Sequence, residues 1–247
     1  MLEPLKPISP SQLKSFDCPR KWAAEKCGYR SPPGDAARWG TAFHKVAERW
    51  MKGGELPWDD YGRLFSECFP YIPGDIRTFG AAEGRHRFEL EGFTFHGDLD
   101  VRYYRPADGR AMALDWKTSS NPKAYGLTPE TLVDDWQGIL YPAFTVVAVP
   151  AELSTIDLHW QYFNTRTKKA CKPVTATVTV QQLGEKLVNK VVPRAKRMLK
   201  VWQDLPDKSV EALNEVPHNP AACDSCGRWC GFTQCQMFSG PLAKEET

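Results

Sequence analysis

Long apolar runs are missing from this sequence. The longest, YPAFTVVAV (141–149), is less than half of the roughly 20 residues that a membrane-spanning helix needs. The opening MLEPLKPISPSQLK lacks the apolar core of a signal peptide, so the expected setting is intracellular. An excess of one charge is missing too. With 32 basic and 30 acidic residues the net charge is +2, too small to indicate a nucleic-acid partner, so only local basic runs are informative. There is no internal repeat. No G-x-x-x-x-G-K-[ST] loop occurs, so any DNA-unwinding motor, a helicase or recombination protein, would be a separate chain.

What remains is ordinary in composition, 247 residues with 42% hydrophobic and 25% charged, and suits a single globular domain, 1–247. SPSQLKSFDCPRKWAAEKCG (9–28) predicts a short helical entry capped by Ser9 or Ser11. In GTAFHKVAERWMKGG, Phe43, Val46, Ala47, Trp50 and Met51 recur at helical spacing, ended by Gly53 and Gly54. Residues 55–80, broken by prolines, form a helical or irregular insertion. RFELEGFTFHGDLDVRYYRPADGRAMALDWKTS alternates as antiparallel strands, with Glu91–Gly92 and Asp108–Gly109 as turn dipeptides. Residues 129–149 read as a helix followed by a buried apolar run. TIDLHWQYFN and KPVTATVTV read as strands, and 181–203 as a basic amphipathic helix bent at Pro193. The fold class is therefore α/β, a central mixed sheet flanked by helices, with a cysteine-rich C-terminal cap.

The strand pair carries the chemistry. Period-two geometry puts Asp115 and Lys117 on one face and Trp116 on the other. A two-residue turn at Asp108–Gly109 would pair Ala107 with Arg110 and set Asp100 opposite Lys117. A four-residue turn would set Asp100 directly opposite Asp115. In either register two carboxylates repel each other unless a cation lies between them, and hard ions such as Mg²⁺ or Mn²⁺ suit such oxygens. A solvated surface ion pair is the plain alternative.

Four short motifs follow in order: Gly40–His44 as G-x-x-x-H, Gly97–Asp100 as G-x-x-D, Asp115–Lys117 as D-x-K, and Gln137–Tyr141 as Q-x-x-x-Y. This order, with the SPSQLKSFDCPRKW opening, resembles the RecB-like branch of the PD-(D/E)XK nucleases over residues 9–238. The iron–sulfur type is the nearest, similar to CRISPR-associated and phage-encoded exonucleases. The resemblance implies a restriction-endonuclease-like core in a bacterial or phage-infected cell. It also implies metal-dependent hydrolysis of DNA phosphodiesters in recombination, repair or phage DNA metabolism. His44, Asp100, Asp115 and the Trp116 carbonyl would bind the ion. Lys117 would orient or activate water, and Gln137 and Tyr141 would steady Lys117 or the DNA backbone. Asp98 shares strand parity with Asp100, and only the family spacing prefers Asp100. The D-x-K departs from the glutamate that many superfamily members carry.

Eight cysteines in a reducing compartment argue for metal rather than disulfides. Four of them, Cys223, Cys226, Cys230 and Cys235, crowd into thirteen residues, and such thiolates would repel one another unless they shared a metal. A structural Zn²⁺ site using all four is one reading. The resemblance implies another, a 4Fe–4S cluster on Cys18, Cys226, Cys230 and Cys235 that closes 217–240 onto the N-terminal segment. The spacing departs from the family's, and Cys223 is a possible substitute. Cys27, Cys68 and Cys171 read as ordinary thiols.

Arg166, Lys168 and Lys169 in NTRTKKACK, and Lys190, Arg194 and Arg197 on the basic helix, are candidate phosphate contacts. Tyr125, Trp136, Trp160 and Tyr162 are candidate stacking partners for unpaired bases. The competing function is a non-catalytic DNA-binding or adaptor module that keeps the fold and the cysteine cap.

Overall fold

The computed structural model describes residues 5–30, 32–150, 152–219, 221–222, 230 and 232–235. These belong to two compact units. The larger is formed by 33–88 and 96–187, the smaller by 1–32, 89–95 and 188–247.

Proline and aspartate set the register on which the larger unit depends. Strands β2 (Phe93–Arg105) and β3 (Arg110–Ser119) are antiparallel, with Arg105 opposite Arg110 and Val101 opposite Leu114. The turn is therefore the four-residue one, 106–109, and the two-residue alternative is not formed. Pro106 has no N–H to give to a ladder. Asp108 accepts from the Arg110 N–H and from Arg105, while Gly109 takes the positive φ that closes the turn. Continued inward, this register puts Asp100 opposite Asp115.

Strand β1 (Gly80–Leu90) neighbours β2. On the other side β3 runs parallel to β4 (Thr155–Asn164), and β4 is antiparallel to both β5 (Lys169–Ala170) and β6 (Val174–Thr179). The sheet is mixed, as expected. A parallel pair needs a crossover, here built from α6 (Pro122–Tyr125), α7 (Pro129–Leu132) and α8 (Trp136–Ala148). The expected helix over 129–149 is thus divided. Thr128 caps α7 with a capping box and Asp135 caps α8, and the apolar run is the second half of α8 rather than a separate segment.

Helix α3 (Asp35–Met51) begins earlier than its apolar stripe suggested and buries Phe43, Ala47 and Met51 against Val101, Tyr103, Met112, Leu114, Trp116 and Phe163. The stretch 55–80 holds α4 (Asp60–Ser66), a 3₁₀ turn (Phe69–Tyr71) and α5 (Ile76–Phe79). It adds Leu64, Phe65, Cys68, Ile72 and Ile76 to that same core.

The expected basic helix is α9 (Val180–Lys186), a π segment (Leu187–Val191) and α10 (Val192–Asp204). The π segment ends two residues before Pro193, whose ring excludes the usual i−4 carbonyl contact, and the wider π turn accommodates that lost contact. In the smaller unit, α1 (Pro10–Ser15) starts at Ser9 through a capping box with Gln12, and α2 (Pro19–Lys26) restarts at Pro19. Trp22 is sealed in by Phe16 and Trp202 at 5.2 and 6.2 Å between ring centres. Arg20 donates to the Val216 and Asn214 carbonyls, tying α2 to the end of α11 (Val210–Glu215).

Candidate active site

The four motifs meet in the larger unit. From α3, His44 Nδ1 lies 2.9 Å from Asp100 Oδ1, and the other Asp100 oxygen accepts the Trp116 N–H at 2.7 Å. From β3, Lys117 Nζ stands 2.5 Å from Asp115 Oδ2 and donates to Gln137 Oε1 at 2.7 Å. Gln137 Nε2 donates to the Tyr141 hydroxyl at 2.8 Å. Asp100 and Asp115 are 8% and 3% exposed, which excludes the solvated surface pair. Asp98, two residues before Asp100 on the same strand, is exposed and paired with Arg85 at 3.2 Å, and it reaches the site through its charge on Tyr141.

Backbone glycines make this convergence possible. A Cβ on Gly40 would stand 3.2 Å from Thr118 Oγ1, so the glycine one turn before His44 lets α3 approach the end of β3. A Cβ on Gly138 would fall 1.8 Å from the Leu132 carbonyl oxygen, inside any allowed contact. Gln137 is thus held by its neighbour's lack of a side chain and by Asp135, which accepts its N–H at 2.9 Å. Sequence reasoning missed both Asp135 and Gly138. An aspartate just before a helical start was the available signal for the first.

Burial pushes the Asp115 carboxyl up to about 7, with Lys117 pulling against it and Asp100 adding to it. Burial lowers the Lys117 ammonium, but Asp115 outweighs it and the net shift is upward. His44 follows the same pattern, raised overall by its hydrogen bond to Asp100 against the cost of burial. The Tyr141 phenol is pushed up by burial and by Asp115 and Asp100, and stays protonated.

Among the described residues no three His, Cys, Asp or Glu side chains form a ready-made metal cage. The donor chemistry nevertheless fits a hard divalent ion. Asp115 Oδ2 is buried and faces the Lys117 ammonium without a properly aligned hydrogen bond, and Mg²⁺ needs only one or two protein carboxylates because it keeps several waters.

The cysteine prediction falls partly outside the described residues, where Cys223 and Cys226 lie. In the smaller unit, Cys18 is buried at the start of α2, and Cys235 Sγ is 3.5 Å from an Arg20 nitrogen. Burial pushes the Cys230 thiol up. Cys235 and Cys18 are near enough to add to this, against a backbone hydrogen bond at Phe232 and the charge of Lys21. Phe232 is buried against Tyr29. Cys68 lies in the core of the larger unit, and burial raises its thiol and those of Cys27 and Cys171.

Arg166, Lys168 and Lys169 are exposed, with Lys168 also 5.3 Å above the Trp39 ring. Arg197 is exposed and lies over Phe16, and Lys190 is half-buried in the π segment. Arg194 is committed to the Leu13 carbonyl and to Asp17. Two stacking expectations are corrected. Trp160 is wholly buried and Tyr162 is 6% exposed, because the crossover helices cover β4, so neither offers a face to a base. Tyr125, at 78%, does.

A mixed sheet that brings two buried carboxylates and a lysine together from adjacent strands, backed by a Gln–Tyr pair, defines a nuclease-type site. The model of the PD-(D/E)XK nuclease superfamily matches residues 7–235, and the chain belongs to that superfamily. Among solved structures it is similar to one described as "Putative exonuclease" from Eubacterium rectale. The two share 18% identity over 89% of this chain and 86% of that one, with a TM-score of 0.54, a likeness of fold. A second, SSO0001, is 11% identical over 96% of this chain and 90% of its own, with a TM-score of 0.41. None of the curated proteins compared matches this sequence.

Proposed function

We propose that this protein is a Mg²⁺- or Mn²⁺-dependent deoxyribonuclease that digests DNA from free ends. The observation that carries the reading is the chain of contacts from His44 through Asp100 to the Trp116 backbone, and from Asp115 through Lys117 and Gln137 to Tyr141. His44, Asp100, Asp115 and the Trp116 carbonyl would hold the ion, which supplies Lewis acidity toward a phosphoryl oxygen and acidifies water. Lys117, kept protonated by Asp115, donates to the attacking water and opposes the charge growing on the phosphate oxygens. Gln137 fixes the direction of Lys117, and Tyr141 fixes Gln137. Retention of every one of these groups supports an enzyme over a binding module.

End-labelled linear DNA, single- and double-stranded, incubated with anaerobically purified protein and Mn²⁺ tests this directly. Asp115→Ala and Lys117→Ala should each lose at least about 100-fold in rate, and covalently closed circles should survive. Equal digestion by parent and variants would remove the active-site assignment, and cut circles would remove the exonuclease one.

The smaller unit is read as holding a 4Fe–4S cluster on Cys18, Cys226, Cys230 and Cys235, with Cys223 as a substitute ligand. What supports it is that Cys18 and Cys235 are near enough to Cys230 to act on its thiol, although among the described residues these three alone do not form a metal-holding group. Iron would give a brown protein absorbing near about 400 nm, lost in Cys18→Ser, whereas zinc would leave it colourless.

A further inference from the structure

Besides Lys117 and Tyr141, the larger unit offers polar chemistry in three other places. A cavity of about 330 Å³ contains His159, but its Arg110, Asp157 and Thr177 already satisfy one another. Trp58 is fully exposed, yet it stands beside Asp59 and Asp60, whose carboxylates repel phosphate. The third place is the rim formed where the parallel strands β3 and β4 end.

Two loops leave that rim, and neither carries an acidic residue. Residues 118–128 (TSSNPKAYGLT) hold Lys123 and Tyr125, and residues 164–172 (NTRTKKACK) hold Arg166, Lys168, Lys169 and Lys172. The loops are joined where the Thr165 N–H donates to the Ser119 carbonyl at 2.9 Å. Lys168 is partly drawn to Asp60 at 3.8 Å, while Lys123 and Arg166 are exposed. The first loop is held firmly. Asn121 caps α6 through the Ala124 N–H, and the Leu127 N–H donates at 3.0 Å to the hydroxyl of Tyr162, which is the strand partner of Lys117. Tyr125 is two residues from that anchor, a reach of at most about 7 Å.

A tyrosine 78% exposed on a fixed turn gains little from folding. A flat aromatic face interleaved with cations is, however, what an unpaired nucleotide requires: stacking for the base and positive charge for its phosphates. Resting on the nuclease reading above, we propose that Tyr125 is the platform on which a base of the bound strand stacks, with Lys123 and Arg166 meeting the flanking phosphates. Tyr125 would thereby determine specificity for unpaired over paired ends.

The test separates this from the nuclease reading itself. Tyr125→Ala, which removes an exposed ring, should raise KM for single-stranded DNA about tenfold. Its kcat should stay within about twofold of the parent, and Tyr125→Trp should retain the parent KM. A 2-aminopurine-bearing single strand, titrated with Asp115→Ala protein, should be quenched, and quenched less when Tyr125→Ala is added. If the parent digests DNA but Tyr125→Ala changes neither KM nor quenching, the platform is overturned and the nuclease stands. If the parent digests no DNA yet quenching depends on Tyr125, the nuclease reading falls and the platform stands. An equal rise of KM in Tyr125→Ala and Tyr125→Trp would also overturn the platform.

Discussion

Two glycines of similar helical context show how much a single Cβ decides. At Gly138 an added methyl would overlap the Leu132 carbonyl oxygen, which is backbone and cannot swing aside. Gly138→Ala must therefore displace the first turn of α8, and Gln137 with it. We expect a cost of about 1–3 kcal/mol and loss of the Lys117–Gln137 contact, read as a kcat reduced more than about tenfold with folding retained. At Gly184, in α9, an added Cβ meets nothing within 4 Å. Gly184→Ala should instead stabilise by about 0.5–1 kcal/mol, because only the unfolded chain loses freedom. Denaturant melts of the two variants, run together, check the contrast. If both shift alike, the close approach at Gly138 is not what positions Gln137.

At the scale of the element, β4 explains both a prediction and a misreading. Its residue His159 is 6% exposed, and burial holds the imidazole down to about 4. The ring is neutral in the fold and takes up a proton more readily once unfolded, near its ordinary value of 6.5. Stability from this group is thus full above about pH 6.5 and is lost as pH falls toward 4. His159→Gln should remove about 2 kcal/mol of the decline between about pH 7 and pH 5, measured by urea unfolding at both values. An unchanged acid limb would mean that the imidazole is charged in the fold. The same burial defeated the reading of Trp160 and Tyr162, since alternation tells which face a side chain takes but not what later covers that face. By contrast the β2–β3 hairpin was legible because β2 alternates apolar and polar residues and Asp108–Gly109 marks a turn ahead of β3. Only its register stayed open, until Pro106 excluded the shorter turn. Residues 55–80 gave no periodic signal, because Leu64, Phe65, Cys68, Ile72 and Ile76 reach the core from short elements broken by prolines. Four motifs separated by up to 53 residues converge through contacts that no local pattern encodes, so the candidate site was legible as an order of residues and not as a geometry.

For the whole molecule, the proposed ion at the acidic pair would link binding to folding. Two carboxylates buried together cost stability that the proposed ion would recover, and an ion that binds only the folded chain raises its stability with the logarithm of its concentration above the dissociation constant. At a hundredfold excess of Mn²⁺ over its dissociation constant the gain is about 2.7 kcal/mol. We therefore expect Mn²⁺ to raise the melting temperature of the parent by several degrees, EDTA to reverse the rise, and Asp115→Asn to show almost none. The rise also has a direction in pH. Asp115, pushed up to about 7 by burial, has to release its proton before it can serve as a ligand. Protons compete with the ion below that value, so the rise should grow from about pH 6 to pH 8. Nonspecific Mn²⁺ binding at surface carboxylates would raise parent and Asp115→Asn alike and level off below pH 6. That outcome would move the ion away from Asp100 and Asp115 and leave Lys117 and Tyr141 a structural role only.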